Sequence, residues 1–350
     1  MPSTSWIEVD LPAISGNVRV VRRVLAARTA GSASGGRAVP SAAPAICAVL
    51  KADGYGLGAA RVAKRLQSAG VEMLAVYSPE QARSLVDAAI TAPILMLMPL
   101  HDLDRADVLY RSAARAQLHL TIHDTATLDA AVTITERLGL RLSVQLEVDT
   151  GMSRGGASLH EAGALLRRII GHPRLVLTGV FNHFASADTD AAETRAQSES
   201  FSKWIAEHRR SIPSDAVLHE ANTFGTFRSS DYHRTMVRVG LALLGFAGED
   251  FGDTADVEFE SEASRLTPAV RWMSQIVHVK EIAPGTPVGY GATWRASRPT
   301  RVGLVPVGYA DGYPLALSNN AHVGVMLSRG IKAFVPLIGR VSMDQVTVDL

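Results

Sequence analysis

Residues 45–98 read AICAVLKADGYGLGAARVAKRLQSAGVEMLAVYSPEQARSLVDAAITAPILMLM. Three short apolar runs, Ala45–Lys51, Val71–Ser78 and Pro93–Met98, alternate with two amphipathic stretches, Ala59–Ala69 and Pro79–Ala89. Uninterrupted apolar runs of this length suit strands buried on both faces, and the stretches between them carry helical spacing. The rhythm continues with candidate strands Gln117–Ile122, Arg141–Asp149, Val176–His183, Val217–Ala221 and Met236–Gly240. Helical patterns over Thr125–Leu138, Leu159–Ile170 and Glu193–Arg210 separate most of them, while the connection Thr223–His233 is short. Eight strands with crossovers, and no Gly-x-Gly-x-x-Gly turn after the first, predict an α/β fold built on a parallel (β/α)8 barrel rather than an open sheet. In a barrel, chemistry belongs at the C-terminal ends of the strands.

Outward from this core, Leu11–Ala27 has a helical pattern, and Arg28–Ser41 is a small-residue segment expected to be a flexible loop. Gly252–Ser264 is acidic and turn-like, a candidate linker. Beyond it the runs Ala269–Val279, Arg301–Val307, Gly324–Leu327, Phe334–Ile338 and Gln345–Leu350 are β-like, with Gly and Pro between them. The expected division is a barrel over 1–254 and a mainly β domain over 255–350.

The 350 residues carry 35 Lys plus Arg against 34 Asp plus Glu, a formal charge of +1, so no basic surface suggests a nucleic-acid partner. The one cysteine, Cys47, excludes an intrachain disulfide and a multi-cysteine zinc site. The N-terminus lacks the pattern of a signal peptide, and the longest uncharged apolar stretch, Ile90–Leu100, is too short to span a bilayer. The expectation is a cytoplasmic protein with no membrane partner.

Only five lysines are present, and Lys51 closes the first strand. Apolar surroundings there would favour the neutral amine that a Schiff base with a carbonyl cofactor requires, although a lysine closing a strand is equally a surface residue. Arg154 follows the fifth strand in a Gly-containing turn, suited to a bidentate grip on a carboxylate. His183 ends the sixth strand, Asn222 and Thr223 end the seventh, and Arg238 interrupts the apolar run of the eighth, before Gly240 and Leu241. A charge within such a run needs a buried partner or a function. In the second domain Tyr290 stands between two glycines, and polar turns carry Tyr309 and the pair Met343 and Asp344.

The ordered set AVLKADGYG, VDTGMSR, FNHFA, HEANT, MVRVGLALLG, VGYGAT, VGYADGYP and GRVSMDQ resembles the alanine racemase family from residue 45 to the chain end. That resemblance implies pyridoxal 5′-phosphate as cofactor, a small amino acid as substrate, D-alanine supply for the cell wall, and a homodimer with composite active sites. It implies that Lys51 holds the cofactor and acts as base on one face of Cα, with Tyr290 of the partner subunit on the other. Arg238 would bond the pyridine nitrogen and keep it unprotonated, supported by His183. Tyr55, Thr223 and the backbone N–H groups of Gly240 and Leu241, with Asn222 beside them, would hold the phosphate. Arg154 would orient the substrate carboxylate, Met343 and Asp344 would enter from the partner chain, and Tyr309 would support the site.

The family pattern also marks departures. Glu147 stands where many relatives carry a carbamylated lysine, and is expected to supply the anion that positions Arg154. Leu315 replaces a frequent arginine of the entryway. Relatives continue past Val-Asp-Leu, so a second domain short of some strands is expected. The alternatives are a broad-specificity amino-acid racemase, a cofactor-binding protein of reduced activity, and a decarboxylase or aldolase on a similar scaffold. Against the last stand Tyr290 as a second base and Arg238 rather than an acid at the ring nitrogen.

Overall fold

The computed structural model describes residues 4–31, 43–248, 257–326 and 332–350. Two compact units emerge: Asp10–Ala269, and the segment up to Val9 together with Val270–Leu350. The sequence reading set the division at 254/255; the observed one falls at 269/270 and adds the N-terminal strand to the second unit.

The first unit is a closed parallel barrel. Its strands are β1 (Ala45–Val49), β2 (Met73–Val76), β3 (Ile94–Met96), β4 (Leu118–Ile122), β5 (Leu142–Asp149), β6 (Leu175–Phe181), β7 (Val217–His219) and β8 (Met236–Val239). Each pairs in parallel with the next, and β8 returns to β1 through Met236↔Ala45 to Val239↔Ala48. All eight strands expected from the pattern are present. They are buried almost throughout, as strands enclosed by helices must be.

The crossover helices form where the periodicity places them. In Ala59–Ser68 the buried positions are Ala59, Val62, Ala63 and Leu66, one helical face. Ser78, Asp124, Ser158 and Asp190 cap the N-termini of Pro79–Asp87, Thr125–Leu138, Leu159–Gly171 and Ala191–His208 by accepting backbone N–H bonds. The short seventh connection holds the helix Thr223–Arg228 and a 3-10 turn. The first helix runs on to Gly31, beyond the expected end at Ala27. The rest of the expected loop, 32–41, lies outside the described residues. The candidate linker is corrected in part: Val257–Ala263 is a helix, and 252–256 lie outside the described residues. No helix among the described residues is long and apolar enough to cross a membrane.

The barrel interior divides by chemistry. Cys47, Met73, Ala75, Leu95 and Met236 form an apolar cluster contributed by β1, β2, β3 and β8. His119, Gln145, His219 and Arg238, from β4, β5, β7 and β8, form a polar chain.

The second unit is mainly β. An antiparallel sheet runs in the order His278–Ile282, Thr300–Val305, Val346–Asp349, Lys332–Ile338, His322–Met326. Ser5–Val9 pairs antiparallel with Val270–Ser274. The expected single run Ala269–Val279 is two strands, and Leu327 of another lies outside the described residues.

Candidate active site

A cavity of about 810 Å³ opens in the barrel unit, lined by residues that follow the C-terminal ends of the strands. Lys51, Tyr55, Glu147, Arg154, His183, Asn222, Thr223, Arg238, Gly240 and Leu241 all reach it. The topology therefore gathers the barrel residues singled out in the sequence.

Lys51 opens a turn of unusual hand. Ala52, Asp53, Gly54 and Tyr55 all adopt left-handed backbone angles, with φ between 51° and 65°. Only glycine takes this region without cost, and each other residue there stores about 1–2 kcal/mol. The segment after Lys51 is thus a strained turn. It is held by Gly54 N–H to Leu50 O (2.9 Å), Gly58 N–H to Asp53 O (3.0 Å) and Ala59 N–H to Asp53 Oδ1 (2.8 Å). Lys51 is exposed in the cavity rather than enclosed by apolar surface.

Arg238 is buried and nearly all its donors are assigned. Nη1 donates to His219 Nδ1 (2.8 Å), and Nη2 to Asn182 O (2.7 Å) and His183 Nδ1 (3.0 Å). The guanidinium lies 4.9 Å from the Phe181 ring centroid, which stacks on His219. Both imidazoles offer Nδ1 lone pairs to a permanent cation, so both are neutral. Burial, then Arg238, Arg154 and Lys51, lower the His183 pKa to about 3; burial and Arg238 push His219 well below the ordinary value. His219 passes Nε2–H to Gln145 Oε1 (2.9 Å), which fixes its tautomer. Among the described residues, no hydrogen bond takes the Arg238 Nε–H, and Arg238 lines the cavity.

Beside it, Gly240 is open because a side chain cannot be there: a Cβ would stand 2.0 Å from the Tyr55 hydroxyl. Thr223 Oγ1 accepts from Gly240 N–H (3.2 Å) and Ala242 N–H (3.3 Å), and Asn222 Oδ1 caps the following helix at Gly225 N–H (2.9 Å). The Tyr55 and Thr223 hydroxyls thus meet at the Gly240 backbone beside the cavity, two donors suited to an oxyanion. Burial raises the Tyr55 pKa, so its hydroxyl stays a donor.

Across the cavity, Glu147 differs from expectation. Its carboxylate pairs with His123 Nδ1 at 2.9 Å, and no hydrogen bond or ion pair joins it to Arg154 among the described residues. The sequence reading passed over His123 although it, too, follows a barrel strand, β4. It also passed over the roles of His219 and Gln145, whose inward direction becomes visible only with the barrel closed.

Tyr290, Tyr309, Met343 and Asp344 belong to the second unit. Tyr290 lies between Gly289 and Gly291, both at φ 72°, and is 71% exposed. A Cβ on Gly308 would stand 2.1 Å from Met343 O, and one on Gly339 2.8 Å from Val288 O. Three motif turns thus meet by close backbone approach. Tyr309, Met343 and Asp344 are exposed upon them.

The profile of the "Alanine racemase, N-terminal domain" matches residues 36–247, and that of the "Alanine racemase, C-terminal domain" matches 269–350. The chain belongs to the alanine racemase family. The family includes the alanine racemase of Cutibacterium acnes, 35% identical over 359 residues, covering 100% of this chain and 84% of that protein. Alanine racemase 1 of Oceanobacillus iheyensis is 31% identical over 99% of this chain and 84% of its own length. Among solved family structures, alanine racemase from D-cycloserine-producing Streptomyces lavendulae superposes with a TM-score of 0.80 at 27% identity, covering 100% of this chain and 84% of that one. Alanine racemase from Bartonella henselae with covalently bound pyridoxal phosphate gives 0.72 at 26% identity, covering 99% and 86%.

Proposed function

We propose that this member of the family interconverts L- and D-alanine with pyridoxal 5′-phosphate by a two-base mechanism. The observation that supports it most is that Lys51 and Arg238, whose Nε–H takes no hydrogen bond among the described residues, line one cavity. Its volume is that of a small-molecule site. The residues fit the cofactor: a primary amine for its aldehyde, a donor for its ring nitrogen, and the Tyr55, Thr223, Gly240 and Leu241 cradle for its phosphate.

When bound, the cofactor supplies an electron sink that makes the substrate Cα–H acidic. Lys51 anchors it and exchanges a proton with Cα on one face; Tyr290 of the partner subunit does so on the other. Two opposed bases return the proton with either configuration. Arg238, held by two neutral imidazoles, donates to the ring nitrogen and keeps a proton off it. So held, Arg238 would limit charge spread into the ring, which would favour return of the proton at Cα. Arg154 grips the substrate carboxylate, and Asn222 supports the cradle by fixing the start of its helix. In the homodimer, Met343 and Asp344 of the partner subunit line the entry, and Tyr309 of the partner subunit supports it.

The test is to load the purified protein with pyridoxal phosphate, record its visible absorbance and follow D-alanine formation from L-alanine. Lys51→Ala is expected to lose both the band and the activity. Cofactor binding without racemisation of alanine, serine or lysine would overturn the reading.

A further inference from the structure

Arg154 is exposed in the cavity, and among the described residues no hydrogen bond or ion pair holds its side chain. Its place is therefore set by the backbone of the turn that follows β5. That turn is strained: Gly151, Ser153 and Gly156 lie at φ 141°, 52° and 90°. Backbone of this kind persists only where its surroundings over-determine it. Within the turn, the N–H groups of Gly151 (2.9 Å) and Ser153 (3.1 Å) donate to Asp149 Oδ1. At its far end Gly156 N–H donates to His123 Nδ1 (3.1 Å).

At its near end the turn is tied to the rest of the barrel through Thr150. The Thr150 hydroxyl oxygen accepts from Asn182 Nδ2 at 2.9 Å and lies 3.5 Å from Gln197 Nε2. Gln197 spans the residues after β6: its Oε1 accepts from Ala185 N–H (2.9 Å), and its Nε2 donates to His183 O (3.3 Å). It also packs against the turn, since a Cβ on Gly151 would stand 3.3 Å from Gln197 Nε2. Asn182 and Gln197 are both buried.

Asn182 serves two sides of the site at once. Its backbone carbonyl accepts from Arg238 Nη2 at 2.7 Å, and its side chain donates to Thr150. Its own Oδ1 is buried without a hydrogen-bond partner among the described residues. An orphaned buried acceptor works against folding, and an apolar side chain would avoid that penalty. The worth of the amide therefore lies in the bond it donates.

We propose that Thr150 and Asn182 are positioning residues, whose side-chain bond fixes the turn that presents Arg154 to the carboxylate of the amino-acid substrate. The proposal rests on the reading of Arg154 as the carboxylate grip. Without the bond the strained turn relaxes and Arg154 leaves its place, so substrate binding weakens. Arg238 keeps its carbonyl acceptor, so the cofactor is held as before.

The test has two readouts: steady-state racemisation of alanine by the cofactor-loaded enzyme, and titration of the apoprotein with pyridoxal phosphate followed by absorbance. Thr150→Val keeps the branched shape and removes the hydroxyl. It is expected to raise KM on the order of fivefold, the worth of one hydrogen bond, with a much smaller change in kcat and in cofactor affinity. Thr150→Ser restores the hydroxyl and is expected to bring KM back to within about twofold of the parent. Asn182→Ala removes the amide but not the carbonyl that Arg238 uses, and is expected to raise KM by a similar factor. The double variant is expected to go no further, because both changes break one bond. The Thr150 pair of variants stands even where Asn182→Ala does not fold. An unchanged KM in Thr150→Val, a KM as high in Thr150→Ser, effects that multiply in the double variant, or a cofactor affinity that falls in step with KM overturns the proposal. Arg154→Lys separates the two readings. If it raises KM while Thr150→Val does not, the tether alone fails; if it leaves KM unchanged, the carboxylate grip fails and the proposal with it.

Discussion

At the scale of single residues, Gly240 and Tyr55 form one unit. The Tyr55 hydroxyl occupies the space that any side chain at position 240 would need. Gly240→Ala is therefore expected to displace Tyr55 and weaken cofactor affinity on the order of tenfold, with little loss of stability, since the tyrosine can swing into the cavity. Titration of the apoprotein with pyridoxal phosphate, followed by absorbance, measures this; unchanged affinity would remove Tyr55 from the cradle. Legibility differed residue by residue. Lys51 stood out because lysine is scarce and this one ends a strand. Arg238 stood out because a charge inside an apolar run demands an explanation. Gln145 and His119 gave no such signal, because polar residues in a strand ordinarily face solvent, and only barrel closure turns them inward.

Among the elements, the turn at Lys51–Gly56 carries the most. Its left-handed backbone aims Lys51 and Tyr55 into the same cavity, and the Asp53 carboxylate ties it to the first N–H of Ala59–Ser68. Asp53→Ala is expected to cost about 1 kcal/mol in denaturant unfolding, the usual worth of a helix cap, and to lower activity more than that loss explains. A variant with the same loss of stability but full activity would separate the turn from the site. Three glycines among residues 54–58 announce a turn but not its hand. Four consecutive left-handed residues are not a local preference; they persist because the cap and the packing around them over-determine the backbone. The helix Val257–Ala263 escaped for a related reason. Its acidic sequence has weak amphipathic contrast, and Arg23 in the first helix pairs with its Glu262 at 2.8 Å, a partner invisible in the linear order.

For the whole molecule, the buried polar chain predicts acid sensitivity. Burial lowers the His119 pKa to about 4, and burial and Arg238 hold His219 well below the ordinary value. Their folded values lie below the unfolded value of about 6.5, so the unfolded state binds protons first as pH falls. Stability from the neutral rings is present above that value and drains away as pH drops towards 4. Each ring should steepen the decline by about 1.4 kcal/mol per pH unit. Urea unfolding between pH 7 and 5 measures the slope, which His119→Gln should flatten; a slope near zero in the parent would contradict the buried neutral chain. The proposed homodimer carries its own test. Mixing Lys51→Ala with Tyr290→Phe subunits should restore roughly a quarter of the parent activity after exchange, because half the dimers then hold one intact composite site. No recovery would place both bases in one chain. The strand count, the barrel and most of its mouth residues are legible in the linear chain, because buried parallel strands and the crossover helices between them write their periods directly into it. Where the charges go is settled by folding alone. Glu147 pairs with His123 rather than with Arg154, and Arg238 is held by His219 and His183, because partners 19 to 55 residues apart meet only when eight strands close into a ring.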